Sequence, residues 1–237
     1  MLQKSSSAPL GVLMLQTKFP RPLGDAGNAQ TWPFPVLFKV VAGASPDRVV
    51  RSGATGLLPS FIEAGRELLA AGVSGIAGNC GFLSLFQSAL AAALNVPVAM
   101  SPLMQATAVQ SLLPPHKSVG ILTIAAESLT PQHLAAAKVP PDSPIVGVAQ
   151  NSEFARVILN DEEKMDMARA RDDVLTAGCR LVEENPGVGA IIMECTNMSP
   201  YAAELSQQTG LPVYSVYSFW QWFHAGLRPR DFALMDG

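Results

Sequence analysis

Short apolar runs alternate with amphipathic stretches along the whole chain. Leu10 to Gln16 is almost continuously apolar, which at this length predicts a strand buried on both faces, as in a parallel sheet. Val36 to Val41 reads as the next strand. Ser60 is placed to cap a helix over Phe61 to Ala71, with Ile62, Leu68 and Leu69 on one buried face. Val73 to Gly78 follows as a strand, closed by the polar turn Asn79-Cys80-Gly81 and a helix over Phe82 to Leu94, and Val96 to Met100 is a fourth strand. Strand, polar turn, helix is the rhythm of a βαβ chain. Ser101-Pro102 then joins an N-cap to a proline at the first helical position and starts a helix to about Leu113.

After the linker Pro114-Pro115-His116-Lys117 the same plan returns. Strands are expected at Ser118 to Ile124 and Ile145 to Ala149, with a Thr130-Pro131 helix start between them. A long helical stretch from about Asn160 to Glu184 carries Val174, Leu175, Leu181 and Val182 at helical spacing, with Cys179 beside them as a buried structural thiol. Val188 to Glu194 is the next strand, Ser199-Pro200 starts a helix over Tyr201 to Gln208, and Pro212 to Tyr217 is the last strand. The repetition extends to residues. Gly72 to Cys80 (GVSGIAGNC) aligns without a gap on Gly187 to Cys195 (GVGAIIMEC), and a Pro-Val pair stands 17 residues after each cysteine. Upstream, Gly11-Val12-Leu13 corresponds to Gly120-Ile121-Leu122 and Val36 to Ile145. We therefore expect two α/β domains of similar plan, residues 1–113 with 217–237 and residues 114–216, the aromatic tail Phe219 to Phe232 packing back on the first unit or on a partner subunit.

Composition narrows the functions open to such a chain. Of 237 residues 49% are apolar and only 15% charged, ample for buried cores and unlike a disordered chain. A net charge of −3 without any Lys/Arg cluster excludes a nucleic-acid surface or a polybasic membrane contact. No apolar run reaches membrane-spanning length, Met1 to Pro9 has no signal-peptide core, and three cysteines suit a reducing compartment, so a cytoplasmic protein is expected. His116, His133 and His224 fit no metal-ligand spacing, and Gly72, Gly75, Gly78 and Gly81 form no nucleotide-binding motif. Neither a metal nor a cofactor is expected. The Pro- and Gly-containing segment Thr17 to Pro35 is long for a connection and is either a lid or an ordered surface loop.

Two cysteines carry the candidate chemistry. A single cysteine in a buried strand is ordinarily packing, but Cys80 and Cys195 hold the same place in two repeats, both at strand ends where α/β sheets gather their reactive groups. Amides of the turn that follows can draw a thiol pKa from about 8.5 toward neutrality and can hold a carboxylate. Pseudo-twofold symmetry would set the thiols on opposite sides of a bound carbon. One sulfur as thiolate then takes a proton while the other delivers one to the opposite face, inverting configuration.

These residues resemble a known family. The paired strand-end cysteines, the repeat, Asn79-Cys80-Gly81 and Glu194-Cys195-Thr196-Asn197-Met198 are similar to the aspartate/glutamate/hydantoin racemase superfamily over essentially the whole chain. The resemblance implies two flavodoxin-like (Rossmann-like) parallel-sheet domains around a cleft, racemisation without a cofactor by Cys80 and Cys195, and frequent dimers. It also implies contacts to a substrate carboxylate from Asn79, Gly81, Phe82, Thr196 and Asn197, and from Thr123 at the end of the fifth strand. Acidic amino-acid racemases usually read Cys-Asn-Thr and Cys-Thr-His where this chain has Cys80-Gly81-Phe82 and Cys195-Thr196-Asn197. The expected function is therefore inversion of a carbon next to the carboxylate of a small acid. The alternatives are a maleate-isomerase-like cis/trans isomerase or a related lyase using the same cysteines, and a two-lobed protein that binds a small anion without chemistry.

Overall fold

A computed structural model of the chain describes residues 8–230. The expected fraying of Met1 to Pro9 and the end of the aromatic tail fall largely or partly outside them. The strands are β1 (Leu10–Leu15), β2 (Val36–Val41), β3 (Ile76–Gly78), β4 (Val98–Ala99), β5 (Ser118–Thr123), β6 (Ile145–Gly147), β7 (Val188–Met193) and β8 (Val213–Tyr214). The helices are α1 (Leu58–Ala70), α2 (Gln87–Leu94), α3 (Ala106–Leu112), α4 (Pro131–Ala136), α5 (Glu153–Leu159), α6 (Met167–Glu184), α7 (Ala202–Thr209) and α8 (Val216–Leu227).

The strands form two four-stranded parallel sheets of the same order, β2-β1-β3-β4 and β6-β5-β7-β8. The protein is thus an α/β fold with two Rossmann-like sheets, and the sequence repeat is a repeat of topology. β1 is buried on both faces: Leu13 and Leu15 join the large core, whereas Leu10, Val12 and Met14 meet Val216, Phe219 and Trp220 of α8. A helix from the end of the described chain therefore closes one face of the first sheet. The helices α2 and α7 end alike, with Asn95 (φ 54°) and Gly210 (φ 68°) in the left-handed conformation that stops a helix.

Several element limits differ from expectation for local reasons. Ser60 lies inside α1, which begins at Leu58 with a proline in its first turn. The segment after Cys80 is a 3-10 helix over Gly81–Phe86 before α2 begins, and 3-10 turns likewise precede α3 and α7. The long helix expected from Asn160 starts only at Met167. Asp161 (φ 55°) ends α5 in a Schellman arrangement, with its own N–H on Ile158 and that of Glu162 on Val157, and Asp166 then caps α6 through the amides of Ala168 and Arg169. The last strand stops at Tyr214 because Ser215 caps α8. Cys179 is half-buried and within 3.5 Å of Gln208 Oε1, not sealed in the core. Among the described residues, no helix is long and apolar enough to cross a membrane.

Candidate active site

The residues before the two cysteines are hung in the same way. Asn79 N–H donates to Leu13 of β1 (3.1 Å) and Glu194 N–H to Leu122 of β5 (2.8 Å), so each turn leaves its sheet beside an inner strand. The turns then meet each other. Thr196 donates its hydroxyl to the Asn79 carbonyl, and Gly81 lies so close to Glu194 that a Cβ there would overlap both Glu194 Oε1 and its carbonyl oxygen. Only a residue without a side chain allows this approach.

Between the turns is a small, partly open cavity of about 20 Å3, room for little more than one water molecule. Seven of the eight expected site residues line it: Asn79, Cys80, Gly81, Phe82, Cys195, Thr196 and Asn197. The eighth, Thr123, stands behind it. Thr123 is fully buried and donates its hydroxyl to Glu194 Oε2 at 2.8 Å. Leu15, Phe19, Val50, Ile124 and Ile158 make the rest of the wall largely apolar. Phe82 is fully buried and meets the buried His133 ring edge-on at 5.2 Å.

Each sulfur receives an amide from two residues on, Cys80 from Phe82 and Cys195 from Asn197, and these bonds favour thiolate. They do not prevail over burial. Burial first, and the nearby Glu194 second, push both thiols above the ordinary cysteine value, which favours the thiol over the thiolate at each sulfur. This corrects the expectation of a near-neutral thiol, because turn amides were weighed without the loss of water around the sulfur.

Three charged groups at the site were missed. Glu194 is fully buried, and burial pushes its carboxyl up to about 8 although the Thr123 hydroxyl favours the ionised form. Its signal was present: in the repeat it occupies the place of Asn79, a charge ending an apolar strand. Arg21 and Asp25 come from the loop after β1. Arg21 lines the cavity and pairs with Asp25 at 2.8 Å, and Asp25, 1% exposed, accepts from Asn197 Nδ2 at 2.6 Å. The same loop reaches the second half through Lys18 N–H and Phe19 N–H, both donating to Asp161 Oδ1 (2.6 and 3.3 Å). Among the described residues, no group of three or more His, Cys, Asp or Glu side chains is placed to hold a metal ion.

A sequence model of the Asp/Glu/hydantoin racemase family matches residues 45–219, a span that includes both cysteine turns. The chain belongs to this family. It is 28% identical to a dimethylsulfoniopropionate lyase of Durusdinium sp. clade D, over 97% of this chain and 78% of that one. It is 32% identical to dimethylsulfoniopropionate lyase 6 of Emiliania huxleyi (strain CCMP1516), over 86% of this chain and 56% of that protein, so it spans little more than half of the latter. A mutant of arylmalonate decarboxylase solved in a sulfate-associated form shares the fold, with a TM-score of 0.60 at 18% identity over 92% of this chain and 93% of that one.

Proposed function

We propose that the protein is a cofactor-independent lyase that uses cysteine to remove the proton next to a carboxylate and expels a leaving group from the neighbouring carbon, with dimethylsulfoniopropionate as the first candidate substrate. The observation that carries this reading is the convergence of Cys80 and Cys195 on one cavity, each sulfur at a strand end and each beside a turn amide. A small carboxylate held by those turns presents its α carbon to the sulfurs. One thiolate takes the α proton, the C–H electron pair becomes the new C=C bond, and the C–S bond breaks toward sulfur. Dimethyl sulfide and acrylate leave, and the proton remains on the cysteine until it passes to water.

Two features favour elimination over racemisation of an acidic amino acid. Arg21, the cationic side chain on the cavity, is already committed to Asp25, and the remaining wall is largely apolar. That lining suits one carboxylate on a compact body with a soft cation, not two carboxylates and an ammonium. The lyase names of relatives matched over most of the chain point the same way. Inversion of configuration is the second reading, favoured by the presence of a thiol from each half of the repeat.

The two readings separate in one experiment. The protein is incubated in deuterated water with dimethylsulfoniopropionate and, separately, with a panel of amino acids and hydantoins. Acrylate and dimethyl sulfide are the expected products. Their absence, together with solvent deuterium at carbon and loss of optical rotation in the panel, would replace the lyase by the racemase.

A further inference from the structure

Glu194 has no part in the elimination as written, yet it is the only carboxyl among the residues lining the cavity. Its surroundings favour the neutral acid. Ala125 N–H donates to Thr123 Oγ (3.4 Å), and Thr123 Oγ lies 2.8 Å from Glu194 Oε2, the one side-chain partner of that carboxyl among the described residues. Oε1 is buried without a hydrogen-bond partner, against Gly81 in the turn of Cys80. The charge is not neutralised from another side, since Arg21 is bound to Asp25 and Thr17. An ionised carboxylate so placed would be buried and unpaired, a state that proteins avoid by keeping the proton.

We propose that Glu194 is a positioning residue for the two thiols: it stands as the neutral acid, and only while it is neutral can a flanking sulfur carry negative charge. The charge on Glu194 acts on both cysteines, and it is the largest electrostatic influence on each after burial. The other charged groups acting on them are Arg21 toward Cys80, and Cys80 and Asp25 toward Cys195. The charge of Asp25 is balanced by Arg21, whereas that of Glu194 is balanced by nothing. Thiolate and ionised Glu194 are therefore alternatives within one small cavity, and the titration of Glu194 near 8 sets the alkaline end of the range in which the sulfur is active.

The inference rests on Cys80 and Cys195 being the reactive groups, but its test needs no substrate. Alkylation by iodoacetamide is followed at each cysteine by peptide mass spectrometry across neutral and alkaline pH, for the whole protein and for Glu194→Gln. The amide is neutral at every pH. The two profiles are expected to coincide at neutral pH and to part above about pH 8, the variant reacting roughly tenfold faster for each unit by which the thiol titration falls. Superimposed profiles at both cysteines would overturn the proposal. Thr123→Val supplies an independent variant, because loss of its hydroxyl removes the bond that favours ionised Glu194 and holds the acid neutral to higher pH. Its alkylation is expected to rise in the same sense, and if Glu194→Gln does not fold, an unchanged Thr123→Val profile overturns the proposal. Turnover is measured beside it. Absent lyase turnover with diverging alkylation profiles would sink the functional reading and leave this coupling standing, and normal turnover with coincident profiles would do the reverse.

Discussion

The hydroxyl of Thr196 donates to the carbonyl of Asn79, so the turn after the second cysteine is tied directly to the residue before the first. This bond crosses between the two halves of the repeat, 117 residues apart in the chain, and both its atoms belong to buried residues. Thr196→Val keeps the shape and leaves the carbonyl unpaired. We expect a loss of about 1–3 kcal/mol, seen as a fall in thermal midpoint of roughly 2–4 °C per kcal/mol, together with reduced turnover. Parallel assays of unfolding and activity check both.

Gly81 makes the second close approach. A methyl group there would overlap the side chain and the carbonyl of Glu194, and neither backbone has room to retreat within a packed interior. Gly81→Ala is expected to cost on the order of 1–3 kcal/mol and to push Glu194 away from the Cys80 turn. Denaturant unfolding measures the first, and a changed alkylation profile of Cys80 reports the second.

The architecture was legible because it is written twice. Apolar runs such as Leu10 to Gln16 have no polar face to show water, and the two Gly-Val…Cys stretches fall at equivalent strands of two equally ordered sheets. The cysteines and their turns followed from that register. The thiol environment did not, since a raised pKa depends on how completely the fold removes water and on Glu194, whose partner Thr123 is 71 residues away. Arg21 and Asp25 belong to the long segment Thr17 to Pro35, whose length pointed to function, but their place at the cavity did not show: they lie in no motif, and Asp25 meets Asn197 across 172 residues. The helix expected from about Asn160 was begun too early, because an apolar stripe says nothing of Asp161 in the left-handed conformation or of Asp166, which caps the helix that starts at Met167.

Glu194 also links stability to pH. Its carboxyl titrates at about 8 in the folded protein, above the ordinary value near 4.5 that the unfolded chain presents. Below the lower value both states hold the proton and nothing is lost. Between the two the folded state binds the extra proton, so stability falls as pH rises, by up to about 1.4 kcal/mol per unit, and levels off above the higher value. Glu194→Gln is expected to remove this slope and to gain on the parent protein as pH rises. Denaturant titrations at a series of pH values, with parallel lines for the two proteins as the contrary result, decide it.

The cavity of about 20 Å3 cannot admit a small acid unless its covering moves. Asp161 fastens that covering, accepting from the amides of Lys18 and Phe19 at the start of the segment that carries Arg21 and Asp25. Asp161→Ala is expected to speed hydrogen exchange at Lys18 and Phe19 and to raise KM, with little change at the core strands. Exchange unchanged in the loop would place the opening elsewhere.

Proton removal by a cysteine of this cavity is tested most directly with dimethylsulfoniopropionate carrying deuterium on the carbon next to its carboxylate, turned over by the parent protein and by Cys80→Ser and Cys195→Ser. The account predicts a primary isotope effect on kcat/KM and a fall in turnover on the order of 10²-fold or more when the sulfur that serves as base is replaced, in a variant that remains folded. Turnover at the parent rate in both variants, or a rate indifferent to deuterium with every step but proton removal shown to be fast, would contradict it.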